Sequence, residues 1–437
     1  MTALDILKKH MLVDGYPIVL DLQKSEGCHI YDKISGKRYL DFFSFFASAP
    51  LGMNHPKLTT KEFKDKLAYV AVNKPSNSDF YTDELAEFVD TLEKIGMPDF
   101  LPNLFLISGG ALAVENALKA AFDWKVRKNF SKGIKEEKGH QIIHFKEAFH
   151  GRTGYTLSLT NTFDPRKYIY FPRFNWPRVL NPKITFPLEK NIDEVKHAEE
   201  QSLSEIREAI SSNKDDIAGI IIEPIQGEGG DNHFRPEFFH ELRKIADEEE
   251  IILIYDEVQT GVGLTGKFWA FEHFGEKGKP DIISFGKKMQ VCGIMASDRI
   301  KEVENNVFEE SSRINSTWGG NLIDIVRATK YLEVIKEENL VENASKQGEY
   351  ILKLLTEIQE KYPDKINNVR GKGLMIAFDL PNSEIRDKLK NIAFDKELII
   401  LPSGSKSIRF RPPLIINQEI IDEVFSILEE SIKEVQI

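Results

Sequence analysis

Three short apolar runs, each followed by polar or charged residues, place the strongest limit on how this chain can fold. They cover residues 217–222, 251–255 and 282–285, are rich in isoleucine and are too short for helices. Between the first two lies an amphipathic segment, residues 236–249, which predicts a helix. Buried strands alternating with helices are typical of a parallel α/β sheet. We therefore expect an α/β fold with ligands at the carboxyl ends of its strands.

An acid and an amine follow two of these runs. Asp256 ends the second run, and Lys287 follows the third after one glycine. A lone Asp at a strand end most often caps a helix and a lone Lys is most often solvated, since charged side chains mostly lie in water. Side by side at one sheet edge, however, the amine could form a Schiff base with an aldehyde and the carboxylate could keep a pyridine nitrogen protonated. That pairing favours pyridoxal phosphate as a cofactor.

Composition argues against several other classes. The 437 residues exceed one ordinary core, so two or more structural units are expected. The net charge of −11 argues against a nucleic-acid or anionic-membrane surface. No apolar run approaches the length that crosses a bilayer, and Cys28 and Cys292 make neither a disulfide framework nor a metal-ligand spacing. We expect a reduced, cytoplasmic setting and no metal.

A glycine turn joins another apolar run to a helix-forming segment. Residues 104–108 form the run, Gly109 and Gly110 follow, and the chain continues rich in alanine and leucine to residue 124. Strand, turn and helix in this order present free backbone N–H groups and the positive end of a helix to a phosphate. Glycines also occur simply to turn a chain, so the pattern alone leaves both interpretations open.

The sequence around the acid and the amine is specific. Residues 256–266 read Asp-Glu-Val-Gln-Thr-Gly-x-Gly-x-Thr-Gly, and residues 280–287 read Pro-Asp-Ile-Ile-x-Phe-Gly-Lys. The chain resembles the class III (ω-amino) aminotransferases, a branch of the fold-type-I pyridoxal phosphate enzymes. The resemblance implies a large cofactor-binding domain, residues 61–325, with a mostly parallel seven-stranded sheet. It also implies a small α+β domain built from residues 1–60 and 326–437.

The resemblance implies a cofactor site. Lys287 and Asp256 would be the catalytic residues, Gln259 would reach the ring hydroxyl, and the ring of Phe149 would lie flat against the cofactor. The cofactor-binding residues that it implies are Ser108, Gly109, Gly110, Ala111, Phe149, His150, Glu223, Asp256, Gln259, Lys287 and Thr317.

Thr317 lies in a loop, residues 312–321, that matches the family's loop ahead of a long helix. In the family's dimers the threonine of this loop reaches the phosphate in the neighbouring subunit. The resemblance therefore implies a homodimer with shared active sites. A Ser-Thr pair just before a helix also fits a helix cap without any resemblance.

Four further stretches, residues 108–124, 149–152, 286–293 and 315–321, together resemble those of family members that act on the terminal amine of L-lysine. This implies transfer of the ε-amino group of L-lysine to 2-oxoglutarate, giving L-glutamate and 2-aminoadipate 6-semialdehyde, which cyclises to a piperideine carboxylate. Action on 4-aminobutyrate or ornithine would use the same cofactor residues and remains an alternative. A non-catalytic homologue is a second alternative, which the intact Asp256 and Lys287 argue against.

Substrate residues follow from the same resemblance. Arg409 corresponds to the arginine that binds the α-carboxylate, and Arg152 could hold a distal carboxylate through two parallel hydrogen bonds. Glu228 could pair with Arg409 while the ε-amine enters, although a surface carboxylate is an equal alternative. Phe45 is an entrance candidate in a phenylalanine-rich stretch that could equally be aromatic core. The complete implied set is Arg152, Glu228, Arg409, Asn315 and Phe45.

Lys287 and Lys288 are adjacent, so one must carry the Schiff base. Counting from the strand end favours Lys287, whereas counting back from Gly293 favours Lys288. We predict Lys287, because the length of the strand fixes how far the side chain reaches.

Overall fold

The computed structural model describes residues 2–436. Its strands are β1 (His29–Tyr31), β2 (Arg38–Asp41), β3 (Asn103–Ile107), β4 (Gln141–Phe145), β5 (Arg178–Val179), β6 (Ile217–Ile222), β7 (Ile252–Asp256), β8 (Ile282–Phe285), β9 (Cys292–Ala296), β10 (Asn367–Lys372), β11 (Met375–Asp379), β12 (Leu398–Ile399), β13 (Leu401–Ser403) and β14 (Ser407–Phe410). Its right-handed α-helices are Ala3–Leu7, Lys61–Ala71, Asp83–Ile95, Gly110–Ser131, Gly154–Leu159, Leu188–Ser212, Pro236–Glu248, Leu322–Glu337, Leu340–Lys361, Ser383–Asp395 and Gln418–Glu434.

Seven strands form one large sheet in the order β3-β9-β8-β7-β6-β4-β5. The run from β8 to β5 is parallel, and β9 is antiparallel to both of its neighbours. Both faces are buried, since Leu253 and Tyr255 of β7 join one apolar cluster while Ile252 and Ile254 join another. The predicted α/β fold with a mostly parallel seven-stranded sheet is confirmed.

Two smaller sheets lie outside the large one. Their orders are β1-β2-β12 and β10-β11-β14-β13. Because β12 pairs in parallel with β2, the N-terminal and C-terminal segments share a sheet. The division of the chain at residues 60 and 325 stays a prediction.

Several local features differ from what the sequence pattern indicates. The helix after the glycine turn begins at Gly110, because Gly109 has a φ of 115°. Ser44–Ala47 form a helical turn in which all four φ angles are positive, from 37° to 63°, which L-residues adopt at a steric cost.

Within residues 2–436 no helix is long and apolar enough to cross a membrane, and no group of potential metal ligands is found there.

Candidate active site

A cavity of about 400 Å³ lies at the carboxyl ends of β6, β7 and β8. This is where parallel α/β sheets bind ligands, because the loops that follow the strands diverge there. Of the residues predicted from the sequence, those that line the cavity are Gly110, Ala111, Phe149, His150, Arg152, Glu223, Glu228, Asp256, Gln259 and Lys287.

Asp256 ends β7 and is buried at the base of the cavity. Its Oδ2 accepts a 2.7 Å hydrogen bond from Nδ1 of His150, and its Oδ1 accepts bonds from the backbone N–H of Val258 and the hydroxyl of Ser284. Burial works against protonation of His150, but the hydrogen bond and the charges of Asp256 and Glu223 outweigh it and raise the pKa of His150. His150 can therefore hold the carboxylate of Asp256 in position to contact a ring nitrogen of a ligand.

The two adjacent lysines point in different directions. Lys287 lines the cavity, whereas Lys288 is 1% exposed and donates a 2.6 Å hydrogen bond from Nζ to the backbone carbonyl of Gln259. Burial, with the charges of Arg409 and Arg411, lowers the pKa of Lys287 to about 8. Lys287 also has a φ of 47°, a strained conformation of the kind that collects at functional sites. Its position and its readily deprotonated amine both suit a nucleophile.

Glu223 anchors the loop that carries the aromatic residue. Its carboxylate accepts hydrogen bonds from the backbone N–H groups of Phe149 and Gly227, at 2.9 and 3.0 Å. Burial raises the pKa of Glu223 to about 7, and the charge of His150 opposes that rise. Phe149 is half-buried and exposes one part of its ring to the cavity, where it can stack on a planar group.

Gln259 is oriented by Arg411, which sequence reasoning did not place at the site. The guanidinium of Arg411 is completely buried, is held by both carboxylate oxygens of Asp231 and donates from Nε and Nη2 to Oε1 of Gln259, at 3.1 and 2.9 Å. With its oxygen fixed in this way, Gln259 can turn its N–H₂ group toward the cavity. No sequence signal identified Asp231, which lies 180 residues from Arg411.

Arg409 meets Glu228 at the side of the cavity. Nη2 of Arg409 donates a 2.6 Å hydrogen bond to Oε2 of Glu228, while Nε and Nη1 are buried and have no partner within residues 2–436. Buried guanidinium donors normally have acceptors, so the arginine has the capacity to bind a further carboxylate. Nζ of Lys167 donates to the other oxygen of Glu228 at 2.5 Å, a contact that the sequence did not indicate.

The glycine turn also contributes to the cavity wall. Gly110 and Ala111 line it at the N-terminus of helix Gly110–Ser131, and Ser108 and Gly109 lie exposed beside them. A Cβ atom at Gly110 would come within 2.9 Å of the side chain of Val258, so any other residue there would force Val258 to shift. Free N–H groups in a first helical turn suit a phosphate.

Three predicted residues, Asn315, Thr317 and Phe45, do not line the cavity within this chain, whereas Arg152 lines it at its mouth. Asn315 and Thr317 are exposed on the loop before helix Leu322–Glu337. Phe45 packs against Phe43, and it is the neighbouring Phe46 that approaches Arg409, with 5.9 Å between the guanidinium carbon and the ring centre. Arg152 is exposed at the mouth of the cavity, 6.0 Å from the ring centre of Phe149.

A sequence model described as aminotransferase class-III matches residues 11–432. The chain belongs to the class III aminotransferases. L-lysine-epsilon aminotransferases of Mycobacterium tuberculosis and Streptomyces clavuligerus are 48% and 46% identical to it over 431 and 430 residues, which cover 98% of this chain and 94% and 93% of those proteins. Human mitochondrial 4-aminobutyrate aminotransferase is 34% identical over 410 residues, covering 90% of this chain and 80% of that protein. A solved lysine aminotransferase from M. tuberculosis superimposes with a TM-score of 0.97 at 48% identity, covering 99% of both chains.

Class III aminotransferases are fold-type-I enzymes, and their cofactor is pyridoxal 5′-phosphate. The cavity fits that group on its own chemistry. It is lined by the N-terminus of helix Gly110–Ser131, by the buried carboxylate of Asp256 and by Lys287. These features match the phosphate, the ring nitrogen and the aldehyde respectively.

Proposed function

We propose that this aminotransferase moves the ε-amino group of L-lysine to 2-oxoglutarate, forming L-glutamate and 2-aminoadipate 6-semialdehyde, which cyclises to a piperideine carboxylate. The observation that carries the proposal is the ion pair between Glu228 and Arg409 beside Lys287, in a chain 46–48% identical to L-lysine-epsilon aminotransferases. The lower identity of 34% to a 4-aminobutyrate aminotransferase supports lysine over that substrate.

Lys287 and Asp256 have separate roles toward the cofactor. When bound, the cofactor supplies an aldehyde for the amino group and a ring that takes up electrons. Lys287 would hold that aldehyde through its amine and, once the substrate amine has displaced it, Nζ of Lys287 would be free to take up and return a proton. Its pKa near 8 keeps a usable fraction of neutral amine at physiological pH. Asp256, fixed by His150, would keep a proton on the ring nitrogen of the bound cofactor.

Two substrates must use one cavity. Lysine enters with its uncharged stem near the cofactor, so Glu228 stays on Arg409 and neutralises it. 2-Oxoglutarate brings a carboxylate next to the reacting carbon, and Arg409 must then exchange Glu228 for that carboxylate. Arg152, exposed at the mouth, would hold the distal carboxylate of each substrate.

We also propose that the active enzyme is a homodimer in which Thr317 and Asn315 serve the neighbouring subunit's cavity. Both residues are exposed, and the adjacent Trp318 is 43% exposed. Other large aromatic side chains are also exposed, namely Tyr69, Phe80 and Tyr81, which supports a subunit interface. Light scattering after gel filtration should give twice the mass of the 50.0 kDa chain; a monomer with full activity would contradict the shared site.

The function is tested with L-lysine carrying ¹⁵N only at the ε-nitrogen. We expect glutamate formed from 2-oxoglutarate to carry the label, and the cyclic imine to be trapped as a coloured adduct. 4-Aminobutyrate and ornithine, at the same concentrations, should react much more slowly. Unlabelled glutamate, or faster turnover of either competing amine, would refute the proposal.

A further inference from the structure

Glu228 is shared between two cations, and each cation takes a different oxygen. Lys167 donates from Nζ to Oε1, and Arg409 donates from Nη2 to Oε2. The side chain of Lys167 is 12% exposed, compared with 27% for Glu228 and 2% for Arg409, so the cluster lies mostly away from water. Burial raises the pKa of Glu228, but the charges of both cations outweigh it, so the pKa is lowered and the group is ionised.

The local chain holds Lys167 in place for this contact. It ends the short helical turn Pro165–Lys167, which Asp164 caps by accepting a hydrogen bond from the backbone N–H of Arg166. The amine of Lys167 lies 5.6 Å from the ring centre of Phe149 and 3.4 Å from the hydroxyl of Thr162. Lys167 therefore contacts the oxygen of Glu228 that Arg409 leaves free, close to the ring of Phe149.

The arrangement keeps the pair between Glu228 and Arg409 incomplete. A carboxylate facing an arginine commonly forms two parallel hydrogen bonds. Here Oε1 of Glu228 is bonded to Lys167, and Nε and Nη1 of Arg409 have no hydrogen-bond partner within residues 2–436. Only one hydrogen bond must break before Arg409 can bind a substrate carboxylate, and Glu228 then still has Lys167 as a partner. Without that partner, the departing carboxylate would be a poorly solvated charge, which is costly.

We infer that Lys167 is a positioning residue for the dicarboxylate substrate: it holds Glu228 by one oxygen and receives the carboxylate when Arg409 turns to 2-oxoglutarate. This role rests on the proposed function and adds a specificity determinant to it. Lysine does not require Glu228 to leave Arg409, so the lysine half-reaction should not depend on Lys167.

The test measures binding as well as turnover. Glutarate has the two carboxylates of 2-oxoglutarate and no ketone, so its dissociation constant from the holoenzyme can be measured by calorimetry without reaction. In Lys167→Met, the released oxygen of Glu228 can accept a second hydrogen bond from Arg409, and we expect glutarate to bind about tenfold more weakly, the effect of roughly one added charge-assisted hydrogen bond. KM for 2-oxoglutarate should rise similarly, with single-turnover reaction of lysine unchanged.

Three further variants test whether Lys167 acts through its charge and through Glu228. Lys167→Arg should restore tight glutarate binding, and Arg166→Gln, which removes a neighbouring exposed charge that pairs with Asp164, should bind glutarate as the wild type does. In a Glu228→Gln background, Lys167→Met should no longer weaken glutarate binding, because Lys167 acts through Glu228. Unchanged binding in Lys167→Met, or the same loss in the Glu228→Gln background, would overturn the inference. Failure of the wild type to use lysine would instead refute the proposed function and leave this binding result intact.

Discussion

His150 donates a 2.7 Å hydrogen bond from Nδ1 to Oδ2 of Asp256, and both side chains are buried at the base of the cavity. The other partners of that carboxylate are uncharged, a backbone N–H group and the hydroxyl of Ser284. His150 is thus the charged group that fixes Asp256 where the ring nitrogen would lie. This relationship leads to the first prediction.

We expect His150→Leu to lower kcat by about tenfold or more, because one hydrogen bond to a charged group contributes roughly 1.5–3 kcal/mol. KM for lysine should change little, since His150 is not assigned to bind substrate. Steady-state kinetics of the purified variant measure both. His144→Leu is the control, because His144 is equally buried but binds Arg178 away from the cavity. An unchanged kcat in His150→Leu would contradict the positioning role.

The second prediction concerns the choice between the two amines of lysine. Glu228→Ala leaves Arg409 without its carboxylate partner, so the α-carboxylate of lysine can bind there and bring the α-amine to the cofactor. We expect the ¹⁵N label of ε-labelled lysine to appear in a smaller fraction of the glutamate formed. Glu228→Gln keeps the shape and removes the charge, and should behave in the same way. An undiminished label in both variants would rule out the exchange of partners at Arg409.

The third prediction is a pH dependence of cofactor attachment. Burial and the nearby arginines lower the pKa of Lys287 to about 8, so the neutral amine that can bond to an aldehyde accumulates as the pH rises through 8. The rate at which apoenzyme binds pyridoxal phosphate covalently should therefore rise between pH 7 and 8 and level off by about pH 9. Stopped-flow absorbance measures it. A rate that continues to rise tenfold per unit to pH 10 would indicate an ordinary lysine.

The fourth prediction concerns stability. Asp231 and Arg411 are both fully buried and bonded through two hydrogen bonds, so Asp231→Asn leaves a buried guanidinium without its counter-ion. We expect a loss of roughly 3–5 kcal/mol in the free energy of unfolding. Asp65→Asn breaks the exposed pair with Lys61 and should cost less than about 1 kcal/mol. Urea denaturation compares the two, and equal losses would mean that the buried pair contributes little.

Much of this site could be predicted because its residues follow strands that are visible in the sequence. The apolar runs before Asp256 and Lys287 became β7 and β8, neighbours in the sheet, so strand order alone brought the acid and the amine to one edge. Glu223 follows β6 for the same reason. In each case a local pattern fixes the strand, and the strand end fixes the position of the side chain.

Other parts depend on contacts between distant segments that no local pattern encodes. Lys167 and Glu228 are 61 residues apart, and Arg411 and Asp231 are 180 apart. The left-handed turn Ser44–Ala47 contains no glycine that would indicate it in the sequence, and within it Phe45 packs against Phe43 and does not line the cavity. Asn315 and Thr317 are exposed in the single chain, and their predicted roles depend on the second subunit that we propose.

The central claim is that the amine of Lys287, and not that of Lys288, bonds to the cofactor. Borohydride reduction of the holoenzyme, followed by peptide mapping with mass spectrometry, tests it most directly. We predict a pyridoxyl group on Lys287 alone, because Lys288 is bonded to the carbonyl of Gln259 outside the cavity. A label on Lys288, or no covalent label in this peptide, would contradict the account.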